Sequence, residues 1–200
     1  MMMPPYHGAL LKGNSDQIFD QFNEISKVGI PIMIQDAPLS GIELTVPLLT
    51  KMINEIEQLT CFKIESAQAA SKIRALIKNC SSRLDAPFDG EESITLYADL
   101  EAGISGSMSS ALLPEKIAPV IDHFWNDEKE KAEEIYNNIL PLINFENRQC
   151  GFRATKTVMK EGGVIKSDFC RDPIKPLDQD TKNLLLNFAK RYDLVSYKWG

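Results

Sequence analysis

The chain has 200 residues, which is enough for one domain with a sizeable hydrophobic core. Hydrophobic residues make up 44% of it and charged residues 25%, and these ordinary proportions exclude a disordered or fibrous protein. The net charge is −6, and the lysine and arginine residues are spread rather than clustered. We therefore expect no nucleic-acid partner.

The four cysteines form no CxxC pair and have no neighbouring histidine, so they predict reduced thiols rather than a zinc site. No apolar run reaches the roughly 18 residues that a membrane span needs. The amino terminus also lacks the pattern of a signal peptide. These features predict a cytoplasmic protein without a metal site or a membrane association.

The first residues form an apolar run, Met1 to Met3, that turns at once through Pro4 and Pro5. A domain seldom opens in this way. The run is typical of the end of a strand, so we expect the earlier residues of that strand to lie upstream, in a longer protein or ahead of a misassigned start.

Short apolar runs and amphipathic segments then alternate along the chain. The predicted strands cover 30–35, 61–65, 83–88 and 103–108, and the predicted helices cover 15–27, 46–58, 67–78, 89–102, 114–125, 128–145, 152–161 and 178–192. Successive strands start roughly 20 to 30 residues apart, which is typical of βαβ units. The alternation therefore predicts an α/β fold with a parallel sheet.

Two parallel architectures compete for this pattern. A doubly wound sheet usually carries a glycine-rich phosphate loop, but the segment 103–108 lacks the third glycine of GxGxxG and the lysine of a P-loop. A (β/α)8 barrel places its functional residues at the carboxyl ends of strands. Polar side chains lie at or just after such ends here: Tyr6, Asp36, Lys63, Asp89 and Ser107. The pattern favours the barrel.

Lys63 stands out because it lies in the middle of a short apolar strand. Strand alternation points Phe62 and Ile64 to one face, and Cys61, Lys63 and Glu65 to the other. A buried site favours the neutral amine, which is a nucleophile toward carbonyl carbon. The alternative is an exposed lysine on an edge strand, which is the usual place of lysine.

Five segments carry a resemblance to a known family. PPY after an apolar run, PIMIQDAP, FKIE, GISGSM and LPLINFENRQ occur in the order seen in the dihydrodipicolinate synthase superfamily of class I aldolases and dehydratases. The resemblance implies the carboxyl-terminal part of a (β/α)8 TIM barrel, from the end of strand 4 to strand 8, plus a helical extension. We expect residues 1–125 to form the partial barrel and 126–200 to extend the same domain.

The resemblance also implies roles for Lys63 and Tyr6, and a third candidate follows from its place on the strand. Lys63 matches the lysine that forms a Schiff base, and Tyr6 matches the tyrosine whose phenol relays protons at that lysine. A tyrosine in a turn with a bonded hydroxyl is the simpler alternative for Tyr6. Glu65 shares the strand face of Lys63, where it either tunes the lysine electrostatically or makes a structural hydrogen bond.

Further positions are candidates for substrate binding. Ser40 and Gly41 match a loop that meets the distal end of the substrate, although Pro-Leu-Ser-Gly alone is a common turn. Gly106 and Ser107 let the backbone approach a ligand, unless the glycine serves close packing of the last strand. The loop 36–41 lacks the arginine that binds an anionic second substrate in dihydrodipicolinate synthases. This departure favours a neutral, hydroxylated tail.

The resemblance is closest to the members that dehydrate 2-keto-3-deoxy-L-arabonate to 2-oxoglutarate semialdehyde. It implies a small 2-keto-3-deoxy sugar acid as substrate, no cofactor beyond the imine at Lys63, and a homotetramer. Open alternatives are an aldolase for such sugar acids, an enzyme similar to dihydrodipicolinate synthase, and an inactive barrel that binds a keto acid. We expect these 200 residues alone to be inactive, because half of the barrel strands are absent.

Overall fold

The computed structural model describes residues 1–7, 11–38, 41–80 and 83–198, except for the side chains of Tyr6, His7 and Leu11. The chain divides into two compact units, Met1–Met108 and Ser109–Gly200. This division lies before the helix at 114–125, whereas the sequence analysis placed a boundary after residue 125. That these units form one domain stays a prediction.

The first unit contains two small sheets. Strands β1 (Tyr6–His7) and β2 (Leu11–Lys12) form an antiparallel pair that the sequence did not predict. The second sheet is parallel, in the order β3 (Ile32–Asp36), β4 (Leu59–Ile64), β5 (Phe88–Asp89) and β6 (Gly106–Ser107). Its strands follow one another in chain order without the reversal of a doubly wound sheet, and this is the order of neighbours in a barrel.

Each connection between these parallel strands contains a helix. The helices of the first unit are α1 (Ser15–Ser26), α2 (Val46–Glu55), α3 (Ala69–Asn79) and α4 (Leu96–Glu101). Asn14 and Gln17 form a capping box that starts α1, and Thr45 caps α2. These side chains satisfy backbone N–H groups that the first helical turn leaves without partners.

The strand β4 has one fully apolar face. Phe62 and Ile64 are fully buried, as is Ile34 on β3. Helix α2 contacts both β4 and α3, and its buried residues include Leu49 and Met52. Burial of side chains of this size stabilises the fold by about 1.5–3 kcal/mol each. The packing of this face against helices leaves the opposite face of β4 for the side chain of Lys63.

The pairing of β3 with β4 contains one irregularity. Ile32 pairs with Leu59 and Met33 pairs with Cys61, so the register passes over Thr60. Beyond this bulge Gln35 pairs with Lys63, and Asp36 pairs with Ile64. At the start of the chain, Met2 forms a parallel bridge with Ile34, in agreement with the expected strand end.

Three predicted elements are shorter in the structure. The strand predicted at 83–88 is reduced to Phe88–Asp89, since Pro87 has no N–H to donate to a ladder. The helix predicted at 89–102 begins only at Leu96. The carboxylate of Asp89 binds the backbone N–H groups of Glu91 and Ser93, which draws the chain into a turn with positive φ at Ser93. The strand predicted at 103–108 is likewise confined to Gly106–Ser107.

The second unit is helical. It contains α5 (Pro114–Trp125), α6 (Lys129–Phe145), a π-helical turn (Glu146–Cys150), α7 (Arg153–Glu161), α8 (Gln179–Arg191) and α9 (Val195–Lys198). The sequence predicted all of these except the π-helical turn and α9. None of the helices in the described parts of the chain is long and apolar enough to cross a membrane.

Candidate active site

Lys63 lies near the carboxyl end of β4 and is 7% exposed. Its Nζ lies 2.6 Å from Glu65 Oε1, and the same oxygen accepts a 2.5 Å hydrogen bond from Gln35 Nε2. The three side chains share one face because Gln35 pairs with Lys63 and Glu65 lies two residues further on. The structure thus brings together the predicted nucleophile, the predicted Glu65 and a third residue, Gln35, that the sequence analysis did not identify.

Burial affects the electrostatics of two groups near the Lys63 amine, the carboxylate of Glu65 and the thiol of Cys61. The side chain of Glu65 is 19% exposed, so its attraction to the Lys63 ammonium is screened less than on an open surface. Cys61 shares the face of Lys63, and burial raises the pKa of its thiol to about 11. Because the protonated thiol is a poor nucleophile, Cys61 does not compete with the lysine near neutral pH.

Two other predicted site residues lie outside the described part of the chain. Nothing is described of the side chain of Tyr6, although its backbone lies in β1, and Ser40 falls in the gap between 38 and 41. Gly41 is described, with a φ of +88° and an N–H that donates to Pro38 O at 2.8 Å. A positive φ is open to glycine at little cost, so Gly41 has a structural reason to be glycine.

Asp36 lies at a strand end, where functional residues were expected, but it forms a buried ion pair with a helix instead. It is fully buried, and Lys72 Nζ on α3 lies 2.6 Å from its Oδ2. Burial raises the pKa of this carboxyl, while the bond to Lys72 opposes the shift. Since Asp36 pairs with Ile64 in the sheet, it shares the helix-packed face. Asp36 therefore ties β3 to α3 and does not face Lys63.

Asp89 is the centre of a second cluster, at the carboxyl ends of β5 and β6. Its Oδ1 accepts the N–H of Glu91 at 2.9 Å. Its Oδ2 accepts the N–H of Ser93 at 3.0 Å and the hydroxyl of Ser107 at 2.6 Å. Burial raises the pKa of Asp89, whereas these hydrogen bonds and the charge of Lys63 lower it. The spacing Asp-x-Glu-x-Ser after a strand was the sequence signal for this turn.

At this edge of the sheet, neighbouring atoms leave little room for a side chain at Gly90 or Gly106. A Cβ on Gly90 would overlap Glu65 Cγ and lie 2.8 Å from Ile64 O and 2.9 Å from Lys63 Cγ. A Cβ on Gly106 would lie 3.0 Å from the ring of Phe88. The contact at Gly106 favours close packing over an approach of ligand to its backbone. Ser107 beside it is half-buried.

Asp99 on α4 is a buried acid near this edge. It is fully buried, and its Oδ2 accepts a 2.7 Å hydrogen bond from Thr95. Burial raises the pKa of Asp99 to about 6; the hydrogen bond from Thr95 opposes this shift, and the charges of Asp89 and Glu91 add to it. The folded protein therefore favours the protonated acid more strongly than the unfolded chain does.

Replacing Asp99 with asparagine is expected to stabilise the protein at pH 8 by about 1–3 kcal/mol. The folded protein loses stability as pH rises from about 4 to about 6, because Asp99 ionises less readily in the folded protein than in the unfolded chain. The gain should therefore vanish below pH 4, where both states carry the neutral acid. Urea unfolding at several pH values measures it, with the exposed Asp20→Asn as control. An equal effect at pH 3.5 and pH 8 would contradict the role of ionisation.

Within 1–7, 11–38, 41–80 and 83–198, no group of three or more histidine, cysteine, aspartate or glutamate residues could hold a metal ion. His123 pairs with Glu128 on the surface of the second unit. At Lys63 the described residues offer an amine and a carboxylate in contact.

A model of the dihydrodipicolinate synthetase family matches residues 1–191. The chain belongs to this family. The L-2-keto-3-deoxyarabonate dehydratase of Azospirillum brasilense is 44% identical over 201 residues, in an alignment that covers 100% of this chain and 65% of the relative. The 4-hydroxy-tetrahydrodipicolinate synthase of Geotalea daltonii is 23% identical, with 98% of this chain and 66% of the relative covered. The chain thus spans about two thirds of the length of the curated relatives that it matches.

Solved structures of the dihydrodipicolinate synthetase family share the fold. The dihydrodipicolinate synthase from Aquifex aeolicus superposes with a TM-score of 0.85 at 22% identity, covering 96% of this chain and 64% of that one. The synthase from Rhodopseudomonas palustris gives 0.82 at 22% identity, with 94% and 64% covered. The predicted fold class, part of a (β/α)8 barrel with additional helices, is confirmed.

Proposed function

We propose that the protein containing this chain dehydrates 2-keto-3-deoxy-L-arabonate to 2-oxoglutarate semialdehyde through an imine at Lys63. The observation that carries the proposal is the buried Lys63 amine, 2.6 Å from the carboxylate of Glu65 at the carboxyl edge of the sheet. The 44% identical relative named for this dehydration supports the choice of substrate. The homotetramer and the cytoplasmic location that the sequence implied stay predictions.

The first steps need a free amine. Glu65 accepts the proton that the Lys63 ammonium must lose, and the amine then attacks C2 of the keto acid. Loss of water from the resulting carbinolamine gives an iminium, in which the positive charge stays on Nζ beside the Glu65 carboxylate. A carboxylate already fixed at that distance stabilises this cation without reorganisation.

The positively charged iminium withdraws electrons and makes the protons on C3 acidic, which allows the elimination. Loss of a proton from C3 gives an enamine, and the enamine expels the C4 hydroxyl as water once an acid protonates that hydroxyl. Tyr6 is the proposed acid. A proton then leaves C5, protonation at C3 gives an enol at C4 and C5, and this enol becomes the aldehyde. Hydrolysis of the imine returns Lys63, so the net change is the loss of one water.

One oxygen of Glu65 contacts two side chains. Oε1 lies beside both Lys63 Nζ and Gln35 Nε2. Gln35 therefore holds Glu65 in place while Oε1 serves the lysine.

Borohydride reduction tests the imine directly. In the presence of pyruvate or of the deoxy sugar acid, reduction is expected to add the mass of the reduced keto acid to Lys63 and to inactivate the protein. Peptide mapping locates the adduct, with the exposed Lys27 as an internal control that stays unmodified. An adduct elsewhere, or no adduct in a folded protein, would refute the assignment of Lys63.

Product analysis separates dehydration from the aldolase alternative. The same enamine chemistry can break the C3–C4 bond and release pyruvate and glycolaldehyde. The semialdehyde identifies the dehydratase, pyruvate identifies the aldolase, and neither product from a protein that traps substrate identifies a binding role.

A further inference from the structure

The turn that follows β5 packs directly against the reacting pair, Lys63 and Glu65. A Cβ on Gly90 would overlap Glu65 Cγ and lie 2.9 Å from Lys63 Cγ, so only the hydrogen atoms of a glycine fit there. These two carbons belong to the stems that carry the carboxylate and the amine. The backbone at Gly90 therefore limits the space into which both side chains can turn.

Asp89 fixes the position of Gly90 from the opposite face of the sheet. Asp89 pairs with Ile64, so its side chain points away from the reacting pair. Its fully buried carboxylate accepts the N–H of Glu91 at 2.9 Å and the N–H of Ser93 at 3.0 Å. Gly90 lies between β5 and the two residues that are bonded in this way, which leaves its backbone little freedom to move.

The backbone of this turn is strained. Glu92 and Ser93 have φ values of +55° and +68°, in the left-handed region that residues other than glycine disfavour. Two such residues in succession persist only where the surrounding bonds outweigh the strain. The bonds to the Asp89 carboxylate supply this restraint, together with the Ile64 oxygen that accepts the Gly90 N–H at 2.9 Å. Loss of the carboxylate should therefore release the turn and let Gly90 move.

We propose that Asp89 is a positioning residue for imine formation, because through the turn 89–93 it holds Gly90 against Lys63 and Glu65 and keeps the amine and the carboxylate in contact. The contact matters because the ammonium must pass its proton to Glu65 before the amine can attack. A displacement of about 1 Å at a reacting group can lower a rate by about a hundredfold. The inference rests on the proposed function and adds a residue that acts on the reaction through another residue.

Replacing Asp89 with asparagine tests the proposal in the protein that contains this chain. Asparagine offers one oxygen acceptor instead of two, so one backbone N–H of the turn loses its partner. We expect kcat to fall about tenfold or more, and KM for the deoxy sugar acid to change less than about threefold, because the side chain points away from the amine that binds the substrate. Borohydride trapping of pyruvate should also slow about tenfold, since the affected step is imine formation.

Two further variants separate the turn from the charge of Asp89. Asp99→Asn makes the same change in a second buried acid, which is bonded to Thr95, and should leave kcat and trapping within about twofold. Asp89→Glu keeps the charge but moves the carboxylate one methylene further from the backbone, and should lose at least as much activity as Asp89→Asn. Full activity in Asp89→Glu would overturn the proposal, because the charge rather than the turn would then be what matters.

A combined variant tests whether Asp89 acts through Gly90. The trapping rate of Asp89→Asn with Gly90→Ala should fall clearly less than the product of the two single losses, because both changes disturb the same contact. Losses that multiply would overturn the proposal, as would a normal kcat per trapped site in Asp89→Asn, which would indicate a structural role alone. If the unsubstituted protein traps no keto acid at Lys63, the proposed function itself fails, whereas unchanged trapping in Asp89→Asn refutes only the positioning role.

Discussion

Replacing Lys63 with arginine is expected to lower kcat by at least about 10³-fold and to abolish borohydride trapping. A loss of this size corresponds to about 4 kcal/mol of transition-state stabilisation. Arginine keeps a cation beside Glu65, but its guanidinium stays protonated and forms no imine under these conditions. The substitution therefore separates the covalent role of Lys63 from its ion pair with Glu65.

The control for this experiment is another lysine-to-arginine change. Lys27 pairs with Glu24 on the exposed face of α1, so Lys27→Arg should leave both turnover and trapping within about twofold. Circular dichroism and urea unfolding establish that Lys63→Arg is folded. Turnover by a folded Lys63→Arg protein at more than a tenth of the original rate would exclude an obligatory imine at this position.

Replacing Gly90 with alanine is expected to destabilise the protein by about 2–3 kcal/mol and to reduce trapping at Lys63. The added methyl group would lie 2.8 Å from the carbonyl oxygen of Ile64. That oxygen accepts the Gly90 N–H at 2.9 Å, so the backbone cannot move aside without weakening this bond. The methyl group would also press on the side chains of Lys63 and Glu65, which displaces the reacting amine.

Gly13→Ala is the matched control for this prediction. The same methyl group at Gly13 would meet its nearest neighbours, Ile18 and Pro5, at 3.4 and 3.6 Å, which are ordinary contact distances. We expect a change of less than about 1 kcal/mol in the free energy of unfolding there. Urea denaturation of both variants measures the difference. Equal stability of the two variants would show that the backbone around Gly90 yields to the methyl group.

The sequence predicted the elements whose signals are local. The capping box at Asn14 and Gln17 and the apolar run 30–35 define a helix and a strand from residues within a few positions. Strand alternation likewise predicted that Lys63 and Glu65 share a face opposite Phe62. The structure shows this arrangement, with the lysine and the carboxylate in contact.

The parts that the sequence did not predict depend on partners far along the chain. The carboxylate of Asp36 forms an ion pair with Lys72, which lies 36 positions away on α3. The hydrogen bond from Gln35 to Glu65 spans 30 positions and follows from the register of β3 on β4. The late start of α4 depends on Asp89, whose side chain competes for backbone N–H groups that a helix would use. Such competition is decided by burial, which a single sequence does not display.

The bulge at Thr60 determines which residue of β3 stands beside the lysine. If Thr60 were paired with Met33 instead of bulging out, the later pairs would move by one position, and Lys63 would be paired with Asp36 instead of Gln35. A carboxylate would then replace an amide next to the reacting nitrogen, and Glu65 would lose the donor that steadies it. The identity of this neighbour thus depends on whether Thr60 bulges out of the ladder. A ladder that closed the bulge would exchange the neighbour of Lys63 while every residue named in the site stayed the same.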